Sequence, residues 1–166
     1  DLSATAGADI SVLLFSVDDC PSLAIESPNY ICIDGCDITV NTYDFSAEYL
    51  KGSQQSENTA KQYNIVSHLL KSNCLITNQP DWATIYIDYC GAEISQEALL
   101  QYIISFRQHN EFHEQCVERI YNDIREHCDV SSLTVFARYT RRGGLDINPL
   151  RSTENKSAPN ARTLRQ

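Results

Sequence analysis

The spacing of apolar residues divides the chain into an irregular first third and a regular remainder. From residue 60 onward the spacing is typical first of strands, then of helices, and then of strands again. Two strands, two helices and two further strands are therefore predicted in that order. Helices packed on one face of an antiparallel sheet form an α+β layer, so we expect a four-stranded antiparallel sheet of this class.

The strands are predicted from the alternation of apolar and polar residues. Residues 63–71 form the first strand and residues 82–89 the second, whose odd-numbered positions from 83 are apolar. Residues 133–139 alternate in the same way, and residues 145–148 are predicted as a short last strand. The sheet face opposite the helices would be bare, which predicts association with a partner surface. The polar tail beyond residue 151 is expected to be mobile.

Two helices are predicted between these strand pairs. Ser95 is the expected N-cap of the first, with Glu97 in its first turn favoured by the helix dipole. Asn110 is the expected cap of the second helix, which closes at Cys128. The short connection between the two predicted helices indicates an antiparallel pair.

The residue pattern in the first third of the chain predicts fewer regular elements. Residues 10–17 form an apolar run rich in strand formers and are predicted as a strand. A small hairpin is expected around Asp34-Gly35, which suits a tight turn. The polar residues 51–58 are expected to be a linker. Because these elements bury little apolar surface, residues 1–58 are not expected to be a complete domain.

Charge is unevenly distributed along the 166 residues. The formal net charge of −9 argues against a nucleic-acid partner, yet seven Lys or Arg and two acids lie between Arg138 and Gln166. This basic tract indicates either a phosphate-bearing ligand or a solvated tail. No apolar run approaches the roughly 20 residues that span a bilayer, so no membrane partner is expected.

The chain contains seven cysteines, which form no CxxC pair and no Cys/His cluster with zinc-finger spacing. An odd number of cysteines without such spacing is typical of a reduced protein with mostly buried thiols. We therefore expect a cytoplasmic protein and no metal site.

One predicted loop, between the first two regular strands, carries two reactive groups. Cys74 lies there among polar residues, unlike the other cysteines of the regular part, and its thiolate could add to a carbonyl, nitrile or disulfide. Asp81 follows seven residues later and could donate a proton. The alternatives are an inert cysteine and a turn-forming aspartate after Pro80.

Two further pairs could bind a ligand. His113 and Glu114 lie in the first turn of the second predicted helix, where the helix dipole favours an ionised Glu114 and a neutral His113. Such a pair could accept the N–H hydrogens of a heterocycle and pass a proton, or Glu114 could only complement the dipole. The stretch Arg141-Arg142-Gly143-Gly144 offers guanidinium groups beside a backbone that can approach a phosphate, although a solvated strand end is the alternative.

Three long stretches carry a family resemblance. Residues 72–82 read SNCLITNQPDW, residues 105–114 read SFRQHNEFHE, and residues 138–149 read RYTRRGGLDINP. In this order they resemble the NADPH-dependent 7-cyano-7-deazaguanine reductases, the QueF family. The resemblance covers residues from about 60 to the last residue.

The resemblance implies the tunnelling fold (T-fold), a homodimer, and a role in queuosine biosynthesis for tRNA modification. The implied reaction reduces preQ0, a nitrile, to the primary amine preQ1. Two NADPH would be used, because this conversion takes two hydrides. The NADPH-binding residues implied by the resemblance are Arg142 and Gly143.

The resemblance also implies roles for the other candidate residues. Cys74 would add to the nitrile and form a covalent thioimide, which accepts hydride better than a nitrile does. Asp81 would donate the proton to nitrogen. His113 and Glu114 would bind the substrate, and His113 would assist proton transfer.

A domain organisation follows from the resemblance. Residues 1–58 are expected to be the remnant of a preceding T-fold module plus a linker, residues 59–151 the C-terminal module with the catalytic loop, and residues 152–166 a polar basic tail. Single-module members carry a Glu-Ser-Lys-Ser-like segment on the first helix, which residues 95–100 lack. The missing N-terminal module would supply it, so this chain alone is expected to be inactive.

Two other interpretations remain open. A T-fold enzyme of the pterin cyclohydrolase type would need zinc, and Cys74 with His113 lacks a third ligand at a recognisable spacing. A non-catalytic T-fold assembly module would only complete a barrel or a dimer, and its cysteine would be dispensable.

Overall fold

The computed structural model describes residues 1–20, 24–54 and 60–166. Its centre is a mixed five-stranded sheet in which the spatial order of the strands follows their order in the chain. The first pairing is parallel and the other three are antiparallel. The predicted α+β class is confirmed. The predicted sheet of four antiparallel strands is not exact, because the sheet has five strands and the first two are parallel. The strands are β1 (Ile31–Cys32), β2 (Lys61–Asn73), β3 (Pro80–Gly91), β4 (Val130–Tyr139) and β5 (Leu150–Ser152).

The helices are α1 (Leu2–Ala6), α2 (Gln96–Ile104) and α3 (His113–His127), with 3-10 turns at Ala47–Leu50 and Ser105–Gln108. The predicted cap of α2 is confirmed, because Ser95 Oγ accepts a hydrogen bond from Ala98 N at 3.3 Å. The cap of α3 is Phe112 rather than Asn110, since Asn110 lies in an extended segment that pairs with Asn73. In the part of the chain that the structure describes, no helix is long and apolar enough to cross a bilayer.

One face of the sheet packs against α2 and α3 and forms the main core. Complete burial of an aliphatic side chain stabilises a protein by about 1.5–3 kcal/mol, so a shift of one residue in either central strand would expose several such groups. The predicted alternation is therefore confirmed, and it also turns Asp81 toward the helices. The buried core residues of β3 and β4 are Ala83, Ile85, Ile87, Tyr89, Leu133, Val135, Ala137 and Tyr139.

The predicted strand at residues 10–17 is wrong. Those residues form no strand, and five of their apolar side chains are more than half exposed. No strand among the described residues pairs with this segment, and a lone strand would leave its backbone N–H and C=O groups without partners. The exposed side chains are those of Val12, Leu13, Leu14, Phe15 and Val17.

The hairpin pairing predicted around Asp34 is also wrong, although the tight turn is present, since Cys36 N donates to Ile33 O at 3.1 Å. Strand β1 lies in parallel against β2 instead. The Asp34 carboxylate accepts hydrogen bonds from Ser67 Oγ at 2.6 Å and from His68 N at 3.0 Å. These bonds hold the segment against β2, and Ile33 and Leu50 are completely buried in the main core.

The last strand follows Pro149 rather than preceding it. Strand β5 pairs with residues 134–136 of β4. Residues 145–148, predicted as a strand, belong to none, although Leu145 closes a tight turn with Arg142. After this turn the chain already lies beside β4, since Ile147 O accepts from Tyr139 N at 3.4 Å and Pro149 O accepts from Ala137 N at 3.1 Å. A regular ladder begins only at Leu150.

The other face of the sheet, predicted to be bare, is partly covered by the chain itself. Tyr30 packs edge-on against Tyr86, with ring centroids 5.1 Å apart. At the end of the chain, the Gln166 side chain accepts a hydrogen bond from Arg138 Nη1 at 2.9 Å and donates one to the Tyr139 carbonyl at 3.3 Å. The last residue therefore lies against the sheet instead of extending away from it.

Candidate active site

The reactive loop comprises residues 74–79 and joins β2 to β3. Cys74 N donates to Gln79 O at 2.8 Å, and Asn78 N donates to Cys74 O at 2.9 Å. Asn78 has φ of 55°, in the left-handed region that asparagine adopts more easily than most residues. These contacts close the base of the loop and hold the Cys74 backbone at the end of β2.

Hydrogen-bond donors surround the Cys74 sulfur. The Thr77 hydroxyl contributes most, followed by the backbone N–H groups of Thr77 and Ile76, with a smaller contribution from Arg142. Because these donors stabilise the thiolate, they lower the pKa of Cys74 from 9.0 to about 7. In contrast, burial raises the pKa of Cys116 to about 11. Cys74 is thus a partly exposed, activated thiol.

The Asp81 carboxyl lies between two side chains that carry or can carry positive charge. Its Oδ1 atom is 2.8 Å from Arg142 Nε, and its Oδ2 atom is 3.0 Å from His113 Nε2. Asp81 is only 2% exposed and lies in strand β3, so it is a buried residue and not a solvent-facing turn residue. A buried carboxyl held at both oxygens has a defined position for proton transfer.

His113 is the first residue of α3 and is almost completely buried. Its ring stacks on Tyr139, with ring centroids 3.9 Å apart and an interplanar angle of 8°. The Nδ1 atom has no hydrogen-bond partner among the described residues. The stacking and the contact of Nε2 with Asp81 therefore orient this imidazole.

Backbone pairing places the start of α3 next to the reactive loop. Asn73 N donates to His109 O at 2.8 Å, and Glu111 N donates to Asn73 O at 3.1 Å. The Asn110 side chain donates to Asn78 Oδ1 at 2.8 Å. The end of β2, the loop and the segment before α3 thus form one hydrogen-bonded frame.

A tight turn after β4 positions Arg142. Leu145 N donates to Arg142 O at 2.9 Å, and Gly143 and Gly144 between them have φ of 55° and 81°. Two successive positive φ angles favour glycine at both positions. From this turn the Arg142 guanidinium pairs with Asp81, and it adds a small contribution to the lowered pKa of Cys74.

The structure thus brings four of the six predicted site residues into one cluster. The other two, Glu114 and Gly143, are exposed and directly follow cluster members in the chain. Sequence reasoning missed the Arg142–Asp81 ion pair and the contributions of Thr77 and Tyr139. The alternation of β4 places Tyr139 on the face toward the helices, so the sequence pattern could have predicted its contact with α3. The clustered residues are Cys74, Asp81, His113 and Arg142.

We expect alkylation of Cys74 to follow a titration with a midpoint near pH 7. The thiolate is the reacting form, so the rate should rise with pH through this midpoint and level off above it. In Thr77→Val the main donor is lost, and the midpoint should move toward 9. The measurement is iodoacetamide labelling across a pH series, with Cys74 followed by peptide mass spectrometry.

Thr39→Val is the matched control for this titration. Thr39 is exposed, and its carbonyl contacts Gln101 of α2 rather than the reactive loop. Its midpoint should equal that of the unaltered protein. An unchanged midpoint in Thr77→Val would show that the Thr77 hydroxyl does not activate the thiol.

Comparisons with known proteins agree on the relationships of this chain. Residues 80–158 match the family model described as "QueF-like protein". Over its whole length the chain is 59% identical to the NADPH-dependent 7-cyano-7-deazaguanine reductase of Colwellia psychrerythraea (strain 34H / ATCC BAA-681), and it spans 59% of the length of that relative.

A solved structure supports the fold. The apo form of the archaeosine synthase QueF-Like superposes with a TM-score of 0.50 at 13% identity, covering 58% of this chain and 95% of that one. At this identity the likeness concerns the fold alone. The match to the QueF-like protein family thus lies in residues 80–158, and the similarity to the reductase extends over the whole chain.

Proposed function

We propose that the protein containing this chain is an NADPH-dependent nitrile reductase that converts preQ0 to preQ1 in queuosine biosynthesis. The observation that carries this proposal is the activated thiol of Cys74 beside the buried Asp81 carboxyl and Arg142. The name of the relative that is 59% identical to this chain agrees with this activity. The reaction consumes two NADPH and two protons per nitrile reduced to a primary amine.

In the proposed first step, the Cys74 thiolate forms a bond to the nitrile carbon, and the nitrile nitrogen takes a proton. The product is a thioimide, whose polarised C=N bond accepts hydride more readily than the nitrile. Asp81 is the proposed donor of the proton. Arg142 pairs with the Asp81 carboxyl and also favours the Cys74 thiolate, so its proposed role is to organise the acid beside the nucleophile.

Proton supply to Asp81 is assigned to His113. Its Nε2 atom is 3.0 Å from Asp81 Oδ2, within hydrogen-bond reach. The imidazole can take up a proton from solvent and pass it to the carboxyl, which replaces the proton that the carboxyl has donated. The stacked Tyr139 ring keeps the imidazole in this orientation while the proton moves.

Binding of the deazaguanine ring is assigned to Glu114 together with His113. Glu114 is exposed in the first turn of α3, where the positive end of the helix dipole stabilises its carboxylate. A carboxylate there can accept the ring and amino N–H hydrogens of a guanine-like heterocycle. Because Glu114 directly follows His113, the ring would lie beside the proton-transfer groups.

NADPH, when bound, supplies the two hydrides. The proposed contacts from this chain are Arg142 and Gly143. Both are accessible to an anionic ligand such as a phosphate group of NADPH. The Arg142 side chain is 35% exposed beyond its ion pair with Asp81. A Cβ built on Gly143 would meet no atom within 4 Å, so a phosphate can approach this turn closely.

We further propose that the fold is a T-fold that assembles as a cytoplasmic homodimer. Residues 59–151 would be the C-terminal module, residues 152–166 a basic tail, and residues 1–58 the remnant of a preceding module plus a linker. The described parts of residues 1–58 include the exposed apolar segment at 10–17, which would pair with the missing N-terminal module. The chain spans 59% of the length of its relative, which agrees with such a longer protein.

The test of the proposed function is a covalent adduct. The full-length protein is incubated with preQ0 in the absence of NADPH and analysed by intact and peptide mass spectrometry. We expect a mass increase of one preQ0, located on the peptide that contains Cys74. NADPH added afterwards should be oxidised at two equivalents per nitrile, with release of the amine.

Two outcomes would contradict the proposed function. One is turnover of preQ0 by a protein whose Cys74 stays unmodified when NADPH is withheld. The other is an absence of both adduct and NADPH oxidation. A preparation of the 166-residue chain alone should form little product, and efficient turnover by it would overturn the requirement for the N-terminal module.

A further inference from the structure

Three side chains of different chemistry converge at the β1 edge of the sheet. Cys32, Asp34 and His68 each place one ligand atom within 4.8 Å of those of the other two. Sulfur, carboxylate oxygen and imidazole nitrogen are the donors that zinc and related divalent ions bind in proteins. Cys32 is exposed on the short strand β1, so its sulfur can approach a shared ion without disturbing the core.

An irregularity in β2 positions the histidine of this group. His68 and Leu69 together face only Thr84 of β3, which is the arrangement of a β-bulge. The His68 N–H donates to the Asp34 carboxylate at 3.0 Å. Bulges change the direction of side chains, and this one places the imidazole beside the end of β1.

The groups behind the three ligands are already in place. His68 Nδ1 is 3.0 Å from the hydroxyl of Thr84, which is buried, so Nε2 is left as the coordinating nitrogen. The Asp34 carboxylate is oriented by Ser67 Oγ at 2.6 Å as well as by the His68 amide. Metal-binding histidines and carboxylates are typically held by hydrogen bonds of this kind.

A cavity of about 210 Å³ adjoins the group, and Cys32 and His68 line it. It is large enough for several water molecules, which can complete the coordination of an ion held by three side chains. Charge is balanced as well, because one thiolate and one carboxylate neutralise a divalent cation. Arg165 also lines the cavity, and its positive charge opposes the binding of a cation.

We infer that Cys32, Asp34 and His68 form a binding site for a thiophilic divalent cation of the zinc class. Binding replaces the Cys32 thiol proton, which passes to solvent, with a sulfur–metal bond. The site departs from the expectation of no metal that the cysteine spacing predicts. It is separate from the Cys74 cluster and does not depend on the proposed reductase activity.

Metal binding would fasten β1 to β2. Strand β1 has only two residues and is held mainly by its pairing with β2 and by the bonds to Asp34. An ion bound by Cys32 and Asp34 on one side and by His68 on the other would join the two segments. The expected result is a higher melting temperature in the presence of the metal.

The test uses cobalt as a spectroscopic substitute for zinc. Full-length protein carrying Cys74→Ser, which removes the activated thiol, is stripped with a chelator and titrated with Co²⁺ without oxygen. We expect one equivalent to give a thiolate-to-cobalt charge-transfer band that Zn²⁺ abolishes. Adding Cys32→Ser should remove the band, and Thr84→Val should weaken binding about 10- to 100-fold.

Cys90→Ser is the matched control, because Cys90 is partly buried at the far end of β3 and outside the group. It should keep both the band and the affinity, whereas Arg165→Ala should tighten binding. A band that persists in Cys32→Ser, or no band in the parent protein, would overturn the inference. Melting curves without metal check that Cys32→Ser is folded, and Cys32→Ala provides a second variant.

Discussion

Replacing Cys74 by serine is expected to lower preQ0-dependent NADPH oxidation by the full-length protein by at least about 1,000-fold. A serine hydroxyl is far less acidic than a thiol whose pKa is about 7, so almost no anion would be available to attack the nitrile. The hydrogen-bond donors of Thr77 and Arg142 can polarise the hydroxyl but cannot ionise it. The measurement is the steady-state rate with saturating preQ0, together with intact mass spectrometry.

Cys90→Ser is the control for this substitution, since Cys90 lies at the other end of β3 from Asp81. Its rate should stay within about twofold of the unaltered protein, as expected for a small change at a partly buried position outside the site. Cys74→Ser should still bind preQ0 but show no covalent adduct. A Cys74→Ser protein that keeps one tenth or more of the rate would exclude covalent catalysis at this position, and it would favour a module whose cysteine is dispensable.

Local patterns in the sequence predicted the central strands and the helices because each depends on neighbouring residues. The alternation along β3 and β4 places every second side chain in the core whatever the partner strand is. Strand β1 and the segment at residues 10–17 depend on contacts with distant residues. Asp34 draws β1 onto β2 through Ser67 and His68, and no pattern near residue 34 indicates those bonds.

In the candidate site, too, the features set by neighbouring residues could be predicted from the sequence, and those set by distant residues could not. The polar neighbours of Cys74 distinguished it from the other cysteines of the regular part, and Thr77 in that loop is the main donor to its sulfur. The partners of Asp81 could not be predicted locally, because His113 and Arg142 come from the start of α3 and the turn after β4. Pairing of the 109–111 segment with Asn73 brings these elements together.

The inferred metal site shows the limit of spacing rules most directly. Zinc motifs are recognised when ligands recur at short, regular intervals in the chain. Here Cys32 and Asp34 are close in sequence, but His68 joins them only because β1 pairs in parallel with β2 and because β2 bulges at that point. The sequence predicted a local hairpin here, so it did not predict the pairing with β2 that brings His68 to these two ligands.

Replacing Asp81 by asparagine is expected to lower turnover by about 100- to 10,000-fold, the range found when a general acid is removed. Asparagine keeps the shape of the side chain and can still accept a hydrogen bond from Arg142 Nε. It has no acid proton to give to the nitrile nitrogen. The measurement is the pre-steady-state rate of adduct formation and of NADPH oxidation, compared with Asp88→Asn on the same strand.

Alkylation of Cys74 distinguishes two roles for Asp81, that of a proton donor and that of a residue that only positions the thiol. In Asp81→Asn the Arg142 guanidinium loses its carboxylate partner, so it should stabilise the Cys74 thiolate at least as well as before. The alkylation midpoint should therefore stay near pH 7 or fall, while turnover drops. Asp88→Asn should change neither quantity, because Asp88 contacts Tyr30 and Asn64 and not the site. If alkylation and turnover of Asp81→Asn fall in parallel, Asp81 positions the thiol and the proton has another source.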